Sequence, residues 1–299
     1  MRILVAGGQG QVGSALAQIG NEQDLDLIAL GRSDLDITDA ASISAVFEKY
    51  QPELLINAAA YTAVDKAESE SELAYAINET ATARLADACA GANIPMLHIS
   101  TDYVFDGSKE GLYTEDDPVN SLAVYAKSKE AGERALRERV ERHIILRTSW
   151  VFGVQGNNFV KTMVRLAKDR DRLTVVADQF GGPSSARGIA AALLEIAAQF
   201  EQTGEVAWGT YHYCQKPYVS WHQFAQAIIE RATEMGLVDH PVEVAPIPSS
   251  EFPTPVKRPA NSRLDASKLH STFNISDSSW LHDLDTVLES VCSKVAANG

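Results

Sequence analysis

Short apolar runs alternate with longer amphipathic ones along the first half of the chain. The short runs predict buried β-strands because turn residues bound them, and they cover residues 2–6, 26–30, 54–58, 96–100 and 143–147. Helical spacing of apolar positions covers the segments between them, residues 11–19, 40–50, 71–90 and 124–142. Thr38, Asp39 and Ser121 precede two of these segments and are predicted caps. The alternation predicts βαβ units and a parallel sheet covered on both faces.

The pattern changes after Trp150. Loops become longer and richer in Gly, Pro and Asn, although residues 160–168 and 189–200 keep helical spacing. Residues 241–259 contain repeated prolines, which lack the N–H group that a central strand needs. The second half therefore predicts a smaller, loop-rich lobe that covers the carboxyl edge of the sheet like a lid.

Composition narrows the class of protein. The 299 residues are 45% hydrophobic, and the net charge of −14 argues against a nucleic-acid partner, because phosphate binding needs clustered Lys and Arg. Cys89, Cys214 and Cys292 are widely spaced, so neither a disulfide framework nor a zinc site is predicted. We expect no secretory leader, because the first residues lack a long apolar h-region, and no apolar run approaches ~18 residues, the length that spans a membrane. We expect a cytoplasmic protein without a membrane partner.

A glycine turn follows the first predicted strand and opens the first helix. Gly7, Gly10 and Gly13 stand at G-x-x-G-x-x-G spacing, with Gln11 and Val12 between the last two. Small residues here allow a tight turn, a close approach of backbone N–H groups to a pyrophosphate, and close packing of helix on strand. The helix N-terminus adds a dipole that favours an anion. The turn predicts a dinucleotide cofactor.

These features together predict an α/β fold. We expect a Rossmann-type doubly wound parallel sheet with a smaller, mostly C-terminal substrate-binding lobe. The predicted dinucleotide-binding domain covers residues 1–152, completed by parts of 170–215 and by the C-terminal helix. Residues 153–299 are predicted to form mainly the substrate-binding lobe.

The end of the second strand bears on the choice of cofactor. A carboxylate at this place would accept from the ribose 2′-hydroxyl of NAD, but the chain has Gly31 followed by Arg32 and Ser33. Arg32 and Ser33 suit a 2′-phosphate, so NADPH is favoured and NADH remains open. The other predicted cofactor contacts border the adenine ring or leave room at the sheet edge: Asp36, Ile37, Ala58 and Ala59.

Candidate chemistry lies at the end of the fourth strand and in the helix that follows it. Tyr125 and Lys129 are four residues apart and share a helix face, where a cation would favour the phenolate and make the tyrosine a better acid. The spacing alone is also common on solvated helix surfaces. Thr101 ends the strand at the carboxyl edge, where open α/β sheets bind ligands, and its hydroxyl can bond a carbonyl.

The glycine turn, Thr101 and the Tyr125/Lys129 pair in this order resemble the extended short-chain dehydrogenase/reductase family, whose members mostly act on nucleotide-sugars. Further segments narrow the resemblance to the dTDP-4-dehydrorhamnose reductase family. They are NAAAYTAVDKAE at 57–68, STDYVFDG at 100–107, RTSWVFG at 147–153, GNNFVKTM at 156–163, DQFGGPSS at 178–185, GTYHYC at 209–214 and RPANSRLD at 258–265.

The resemblance implies reduction of the 4-keto group of dTDP-4-dehydro-L-rhamnose by NADPH or NADH. Tyr125 is then the general acid, Lys129 favours the phenolate and holds the nicotinamide ribose, and Thr101 orients the keto oxygen. Trp150 is expected to offer a flat apolar wall, and Arg258 to bind the diphosphate. The full set of expected substrate contacts is Val64, Asp65, Thr101, Asp102, Asn120, Trp150, Asn157, Asn158 and Arg258.

Several alternatives stay open. Nucleotide-sugar 4,6-dehydratases resemble the chain but carry Asp-Glu after the threonine, whereas Tyr103 follows Asp102 here, which argues against dehydration. A non-catalytic NADP-binding regulatory subunit on the same fold, and a reductase or epimerase for another nucleotide-sugar, remain candidates. Some members of the family bind magnesium at a dimer contact; no ligands for it are placed, and the chain is expected to be a monomer or homodimer. His98 is interpreted as a hydrogen-bonded core residue, and Glu68, Glu70 and Glu72 as solvated surface.

Overall fold

The structure, a computed structural model, describes residues 1–276 and 278–298. The strands are β1 Ile3–Ala6, β2 Leu27–Leu30, β3 Leu54–Asn57, β4 Met96–Thr101, β5 His143–Thr148, β6 Val151–Phe152, β7 Arg172–Val176, β8 Phe180–Gly181, β9 Ser184–Ser185, β10 Gly209–Tyr213, β11 Val219–Ser220, β12 Glu243–Ile247 and β13 Asn261–Ser262.

The α-helices are α1 Gln11–Glu22, α2 Ala40–Tyr50, α3 Val64–Ala67, α4 Ser71–Tyr75, α5 Ala81–Ala92, α6 Val124–Arg139, α7 Phe159–Ala167, α8 Ala186–Thr203, α9 Trp221–Glu234, α10 Ser267–Phe273 and α11 Trp280–Asn298. A π-helical turn covers Ala76–Thr80, and 3-10 turns cover Asp102–Val104 and Ser249–Glu251.

A parallel sheet in the order β10-β5-β4-β3-β1-β2 forms the centre of the molecule. Strand residues alternate between its faces: Ile3 and Val5 pack towards α1 and α8, whereas Leu4 packs towards α2, α5 and α6. Both faces are therefore covered, which explains why these strands are almost continuously apolar. The prediction of a doubly wound α/β fold is confirmed, and its first five strands lie within one residue of the predicted ends.

The predicted caps before α2 and α6 have different outcomes. Asp39 accepts from the Ala41 N–H and caps α2, as predicted. The prediction of Ser121 as a cap was wrong. Its hydroxyl donates to the Val104 carbonyl, and Ser121 itself lies three residues before α6 begins. The Val124 N–H at the start of α6 instead donates to Glu68 Oε1 at 2.9 Å. Glu68 is exposed, as predicted, and its carboxylate also caps α6 from a distant part of the chain.

The predicted helix over residues 71–90 is broken into α4, a π-helical turn and α5. The turn includes Asn78, whose Nδ2 donates to the Tyr61 carbonyl and to Ser128 Oγ, and whose Oδ1 accepts from the Tyr61 N–H. On α6, Gly132 lies against the Asn78 carbonyl oxygen, which a Cβ there would approach to 2.1 Å. The wider turn places this amide between α6 and the loop after β3, which apolar spacing could not predict.

A second apolar cluster lies under the loop-rich half of the chain. It joins α7, α9 and α11 with β7, around Phe224 and Trp280. The proline-rich segment supplies β12, which pairs only with β7 outside the central sheet. The C-terminal helix α11 contacts α7 and α9, whereas β10 and α8 extend the central sheet layer. The division into domains at residue 152 stays a prediction.

Candidate active site

The glycine turn lies at the carboxyl end of β1 and has a backbone suited to a pyrophosphate. Gly7 has φ of +84°, and a Cβ on Gly13 would lie 2.1 Å from the Gly7 carbonyl oxygen, so both positions require glycine. Gly10 caps α1 without a side-chain hydrogen bond, which leaves the first N–H groups of the helix for an anion. The turn fits the dinucleotide that the sequence predicts.

A pocket opens beside this turn and brings together most of the predicted cofactor contacts. Its walls are formed by Gly7, Gln9, Gly10, Gly31, Arg32, Leu35, Asp36, Ile37, Thr38, Ala58, Ala59, Ala60 and Ile77. Arg32 is exposed at the pocket, whereas the Ser33 hydroxyl donates to Asp34 and does not line it. Thr38 donates to Asp36 from its N–H and hydroxyl, which lowers the pKa of that carboxyl.

The sequence did not single out Gln9, which the pocket includes. Its side chain lies over Gly31, where a Cβ would approach the Gln9 Cδ to 2.5 Å. The missing side chain at Gly31 therefore has a packing role as well as the effect on cofactor choice that the sequence predicted. The sequence of the glycine turn could have indicated Gln9, because a polar residue between two glycines of the turn lies beside the predicted dinucleotide.

The structure brings Thr101, Tyr125 and Lys129 together. Thr101 ends β4, and its side chain lies near the Tyr125 phenol from α6. Tyr125 is 8% exposed and Lys129 2% exposed, so the two share a buried face of the helix rather than a solvated one. The Tyr125 ring meets the ring of Tyr103 edge-on at 5.8 Å between centroids.

The expectation that a cation favours the Tyr125 phenolate was wrong for this structure. Burial raises the pKa of Tyr125 to about 12, and the nearby Thr101 side chain only partly offsets this. The Asp102 carboxylate raises the pKa further, and Lys129 Nζ is directed to the Ile99 carbonyl at 2.7 Å and to His98 Nε2 at 3.1 Å. The phenol is protonated at neutral pH, as a general acid must be before it acts, and the raised pKa makes it a weaker acid than an ordinary phenol.

His98 is buried and hydrogen-bonded, as the sequence predicted, but it also contacts the catalytic set. Its Nδ1 lies 3.1 Å from Asn57 Nδ2, and its Nε2 faces Lys129. Sequence reasoning missed both Asn57 and the link to Lys129. The pairing of the parallel strands β3 and β4 could have indicated the contact between Asn57 and His98, since the two residues are partners in adjacent strands.

Asp102 is buried behind Thr101. The Thr101 hydroxyl donates to its Oδ1 at 3.1 Å, while Oδ2 has no hydrogen-bond partner among the described residues. Burial raises the pKa of Asp102 to about 6, against a smaller opposing effect from Ser262. This carboxyl is therefore placed to orient Thr101.

Relative to wild type, Asp102→Asn should increase the free energy of unfolding by more at pH 8 than at pH 4. The folded protein keeps this proton up to about pH 6, whereas the unfolded chain releases it near 3.8, so wild-type stability falls as the pH rises between them. The full difference corresponds to about 3 kcal/mol, which an amide would recover. Urea unfolding of both proteins at the two pH values measures it; an advantage that is equal at both would contradict the raised pKa.

Asp65 and Arg258, two predicted substrate contacts that are far apart in the sequence, form an ion pair. Arg258 Nη2 lies 3.2 Å from Asp65 Oδ2, and each side chain is partly exposed. Asp65 Oδ1 and Arg258 Nε are buried without a hydrogen-bond partner among the described residues. Val64 begins the same short helix, α3, and is half-buried. The pair thus keeps a donor and an acceptor free beside the site.

Trp150 cannot offer a flat wall. It has φ of +47°, and one face of its indole stacks on Trp221 with ring centroids 3.6 Å apart. A Cβ built on Gly181 would lie 2.5 Å from Trp150 Cε2 and about equally far, 2.8 and 2.9 Å, from the two neighbouring ring atoms, which places Gly181 above the other face. The half-buried ring therefore presents an edge rather than a face to a ligand.

The three predicted asparagine contacts are not brought together. Asn120 is exposed and donates to Asp106 Oδ2, and Asn157 is exposed on the loop before α7. Asn158 caps α7, and its Nδ2 donates to Gln11 Oε1 at 3.0 Å and to the Gly153 carbonyl. The amide of Asn158 therefore fixes the second half of the chain to the glycine turn.

Within residues 1–276 and 278–298, no group of three or more His, Cys, Asp or Glu side chains is arranged to hold a metal ion. Over the same part of the chain, no helix has both the length and the apolar character needed to cross a bilayer.

Comparisons with known proteins cover nearly the whole chain. The family model for the RmlD substrate binding domain matches residues 1–293. A dTDP-4-dehydrorhamnose reductase from Aggregatibacter actinomycetemcomitans is 45% identical over 287 residues, which are 96% of this chain and 98% of that protein.

Solved structures agree with the sequence comparisons. A dTDP-4-dehydrorhamnose reductase from Clostridium acetobutylicum superimposes with a TM-score of 0.89 at 36% identity, covering 98% of this chain and 100% of the other. One from Bacillus anthracis, in complex with NADP, has a TM-score of 0.87 at 33% identity, covering 96% and 98%. The similarity extends through both halves of the chain.

Proposed function

Because the chain belongs to the dTDP-4-dehydrorhamnose reductase family, we propose that Thr101, Tyr125 and Lys129 carry the reaction of that family. The reaction is reduction of the 4-keto group of dTDP-4-dehydro-L-rhamnose to dTDP-L-rhamnose, the last step of dTDP-rhamnose biosynthesis. The observation that carries the residue assignment is the buried contact between the Thr101 side chain and the Tyr125 phenol at the carboxyl edge of the sheet.

Each of the three residues has a distinct role in this proposal. The nicotinamide cofactor supplies the hydride when it is bound. Tyr125 donates its phenolic proton to the keto oxygen, and Thr101 orients that oxygen by a hydrogen bond. Lys129 holds the nicotinamide ribose with an N–H group. The position of Tyr125 supports its role, because a buried phenol that is protonated at neutral pH lies beside Thr101 at the carboxyl edge of the sheet.

NADPH is the proposed cofactor. Gly31 stands where an NAD-specific site has a carboxylate, and the Arg32 guanidinium borders the same pocket. A guanidinium binds a 2′-phosphate through paired hydrogen bonds, which NADH cannot supply. The relative from Bacillus anthracis in complex with NADP supports this choice.

The proposed substrate site lies between α3 and the segment after β12. The exposed part of the Arg258 guanidinium can donate to a diphosphate oxygen while its Nη2 keeps its contact with Asp65. Asn157 is exposed on the neighbouring loop and Trp150 presents its edge, so both are kept as proposed sugar contacts.

A spectrophotometric assay tests the function. Purified protein, NADPH and dTDP-4-dehydro-L-rhamnose should give loss of the reduced-nicotinamide absorbance that depends on the sugar nucleotide. With NADH in its place, kcat/KM should be lower. No substrate-dependent oxidation of either cofactor would contradict the function and favour a non-catalytic binding protein, whereas turnover of a different 4-keto sugar nucleotide alone would indicate another reductase.

A further inference from the structure

Gln9 stands in the glycine turn and lies beside the end of the neighbouring strand. The Gly8 N–H donates to the Leu30 carbonyl at 2.8 Å, and a Cβ on Gly8 would lie 2.8 Å from the Ala29 carbonyl carbon. The turn therefore lies directly against the last two residues of β2. This contact places Gln9 next to Gly31, the first residue after that strand.

The Gln9 side chain occupies the volume that a side chain at position 31 would need. A Cβ built on Gly31 would lie 2.5 Å from Gln9 Cδ, 2.7 Å from its Nε2 and 2.8 Å from its Cγ. Non-bonded carbon atoms meet at about 3.5–4 Å, so the two side chains exclude each other. In this chain position 9 has the side chain and position 31 has none.

The end of β2 is the place where a dinucleotide-binding sheet meets the 2′ position of the adenosine ribose. In a site for NAD, a carboxylate at this place accepts from the 2′-hydroxyl. Here the group at the same place is the primary amide of Gln9. Its NH₂ group can donate to a phosphate oxygen, and a neutral amide does not repel a phosphate as a carboxylate would.

We propose that Gln9 is a specificity-determining residue, which replaces the missing side chain at position 31 and donates through Nε2 to the 2′-phosphate of NADPH. This inference rests on the proposed function, because it assumes a nicotinamide dinucleotide in the pocket beside the turn. It deepens that function by assigning part of the cofactor choice to the glycine turn itself. The backbone of the turn then meets the pyrophosphate, and its one long side chain meets the ribose.

The charged groups near Gln9 fit an anionic 2′ substituent. Arg32 is exposed and lines the same pocket as Gln9. Asp36 also lines it, but its Oδ1 accepts from the Thr38 N–H at 2.9 Å and from the Thr38 hydroxyl at 2.6 Å. Asp34 accepts from the Ser33 hydroxyl at 3.2 Å. These carboxylates hold the loop after β2, so the end of the strand itself presents an amide and a guanidinium.

Equilibrium binding in the absence of a sugar nucleotide tests the inference. Fluorescence titration gives Kd for NADPH and for NADH, and the ratio of the two isolates the 2′ contact because the rest of the cofactor is the same. Gln9→Glu keeps the size of the side chain and replaces its donor by a negative charge. We expect the preference for NADPH to fall by about 10–100-fold, the effect of losing a hydrogen bond to a charged group. Gln9 is exposed, so this change should not affect folding.

Gln23→Glu is the matched control. Gln23 is exposed at the other end of α1, so the variant adds the same charge to the protein away from the pocket. Its ratio of Kd values should equal that of wild type. The inference is overturned if Gln9→Glu gives the same ratio as Gln23→Glu, or if wild type binds NADPH and NADH equally well.

A double-mutant cycle tests the exclusion between positions 9 and 31. The backbone of Gly31 does not have a positive φ, so alanine is compatible with it, and Gly31→Ala adds only the Cβ that displaces the Gln9 amide. Gly31→Ala and Gln9→Ala should each lower the preference for NADPH by about 10-fold. With alanine already at position 9, Gly31→Ala should change the ratio by less than about 2-fold. Equal losses in both backgrounds would show that the Cβ acts without Gln9 and would overturn the inference.

Activity separates this inference from the proposed function. If Gln9→Glu loses the preference for NADPH but wild type does not reduce dTDP-4-dehydro-L-rhamnose, the proposed reaction fails and the assignment of Gln9 stands. If wild type reduces the sugar nucleotide and prefers NADPH, while both Gln9 variants keep the wild-type ratio, the reaction stands. The assignment of Gln9 then fails, and Arg32 is left as the group that selects the cofactor.

Discussion

Tyr125→Phe should reduce kcat by about 10²–10⁴-fold while the Kd for NADPH changes little. The phenol is the proposed proton donor at the site, and phenylalanine keeps the ring that meets Tyr103 edge-on at 5.8 Å. The loss should therefore fall on the chemical step rather than on binding. Single-turnover oxidation of NADPH with a saturating sugar nucleotide measures the step, and fluorescence titration measures the Kd.

Tyr211→Phe is the matched control for this loss. Tyr211 is 2% exposed, and its hydroxyl donates to the Ala207 carbonyl at 2.6 Å, in β10 at the far edge of the sheet. The control loses a buried hydroxyl and about 1 kcal/mol of stability but should keep wild-type kcat. If Tyr125→Phe also kept wild-type kcat, the proton would come from another group and the assignment of the acid would be wrong.

The parts of the site that follow strand order were predictable from the sequence. The glycine turn after β1 and Thr101 at the end of β4 lie at the carboxyl edge of a parallel sheet, so the pattern that predicts the strands also predicts where these residues meet. The i, i+4 spacing then places Tyr125 and Lys129 on one buried face of α6.

The electrostatics of the same residues were not predictable. Spacing indicates that Tyr125 and Lys129 share a face but not where each polar atom points, and Lys129 Nζ is directed to His98 and the Ile99 carbonyl. The pKa of Tyr125 is consequently set by burial and not by the cation. Contacts between residues far apart in the chain decide this outcome, and a single sequence does not report them.

Aromatic packing shows the same limit. The sequence identified Trp150 near the site but could not show that Trp221 covers one of its faces and Gly181 the other. Glu68 is a similar case. It accepts from the N–H at the start of α6, and 56 residues separate the two in the sequence. Each role depends on tertiary packing that local pattern does not encode.

Gly13→Ala should weaken NADPH binding by about 100-fold or more. The added Cβ would lie 2.1 Å from the carbonyl oxygen and 2.7 Å from the carbonyl carbon of Gly7, and 2.8 Å from the Gly8 Cα. All three are backbone atoms, so the turn itself must move and its N–H groups lose their aim at the pyrophosphate. Two charge-assisted hydrogen bonds lost at about 1.5 kcal/mol each correspond to this factor. Overpacking should also cost about 1–3 kcal/mol of folding stability.

Gly91→Ala separates the clash from the general effect of alanine in a helix. Gly91 lies in α5, and a Cβ there would meet no heavy atom within 4 Å. This variant should keep the wild-type Kd for NADPH and gain up to about 1 kcal/mol, because alanine has the higher helix propensity. Fluorescence titration and urea unfolding of both variants measure the contrast. If Gly13→Ala bound NADPH as tightly as Gly91→Ala, the glycine turn would not be the pyrophosphate site, and the cofactor would have to be held elsewhere at the sheet edge.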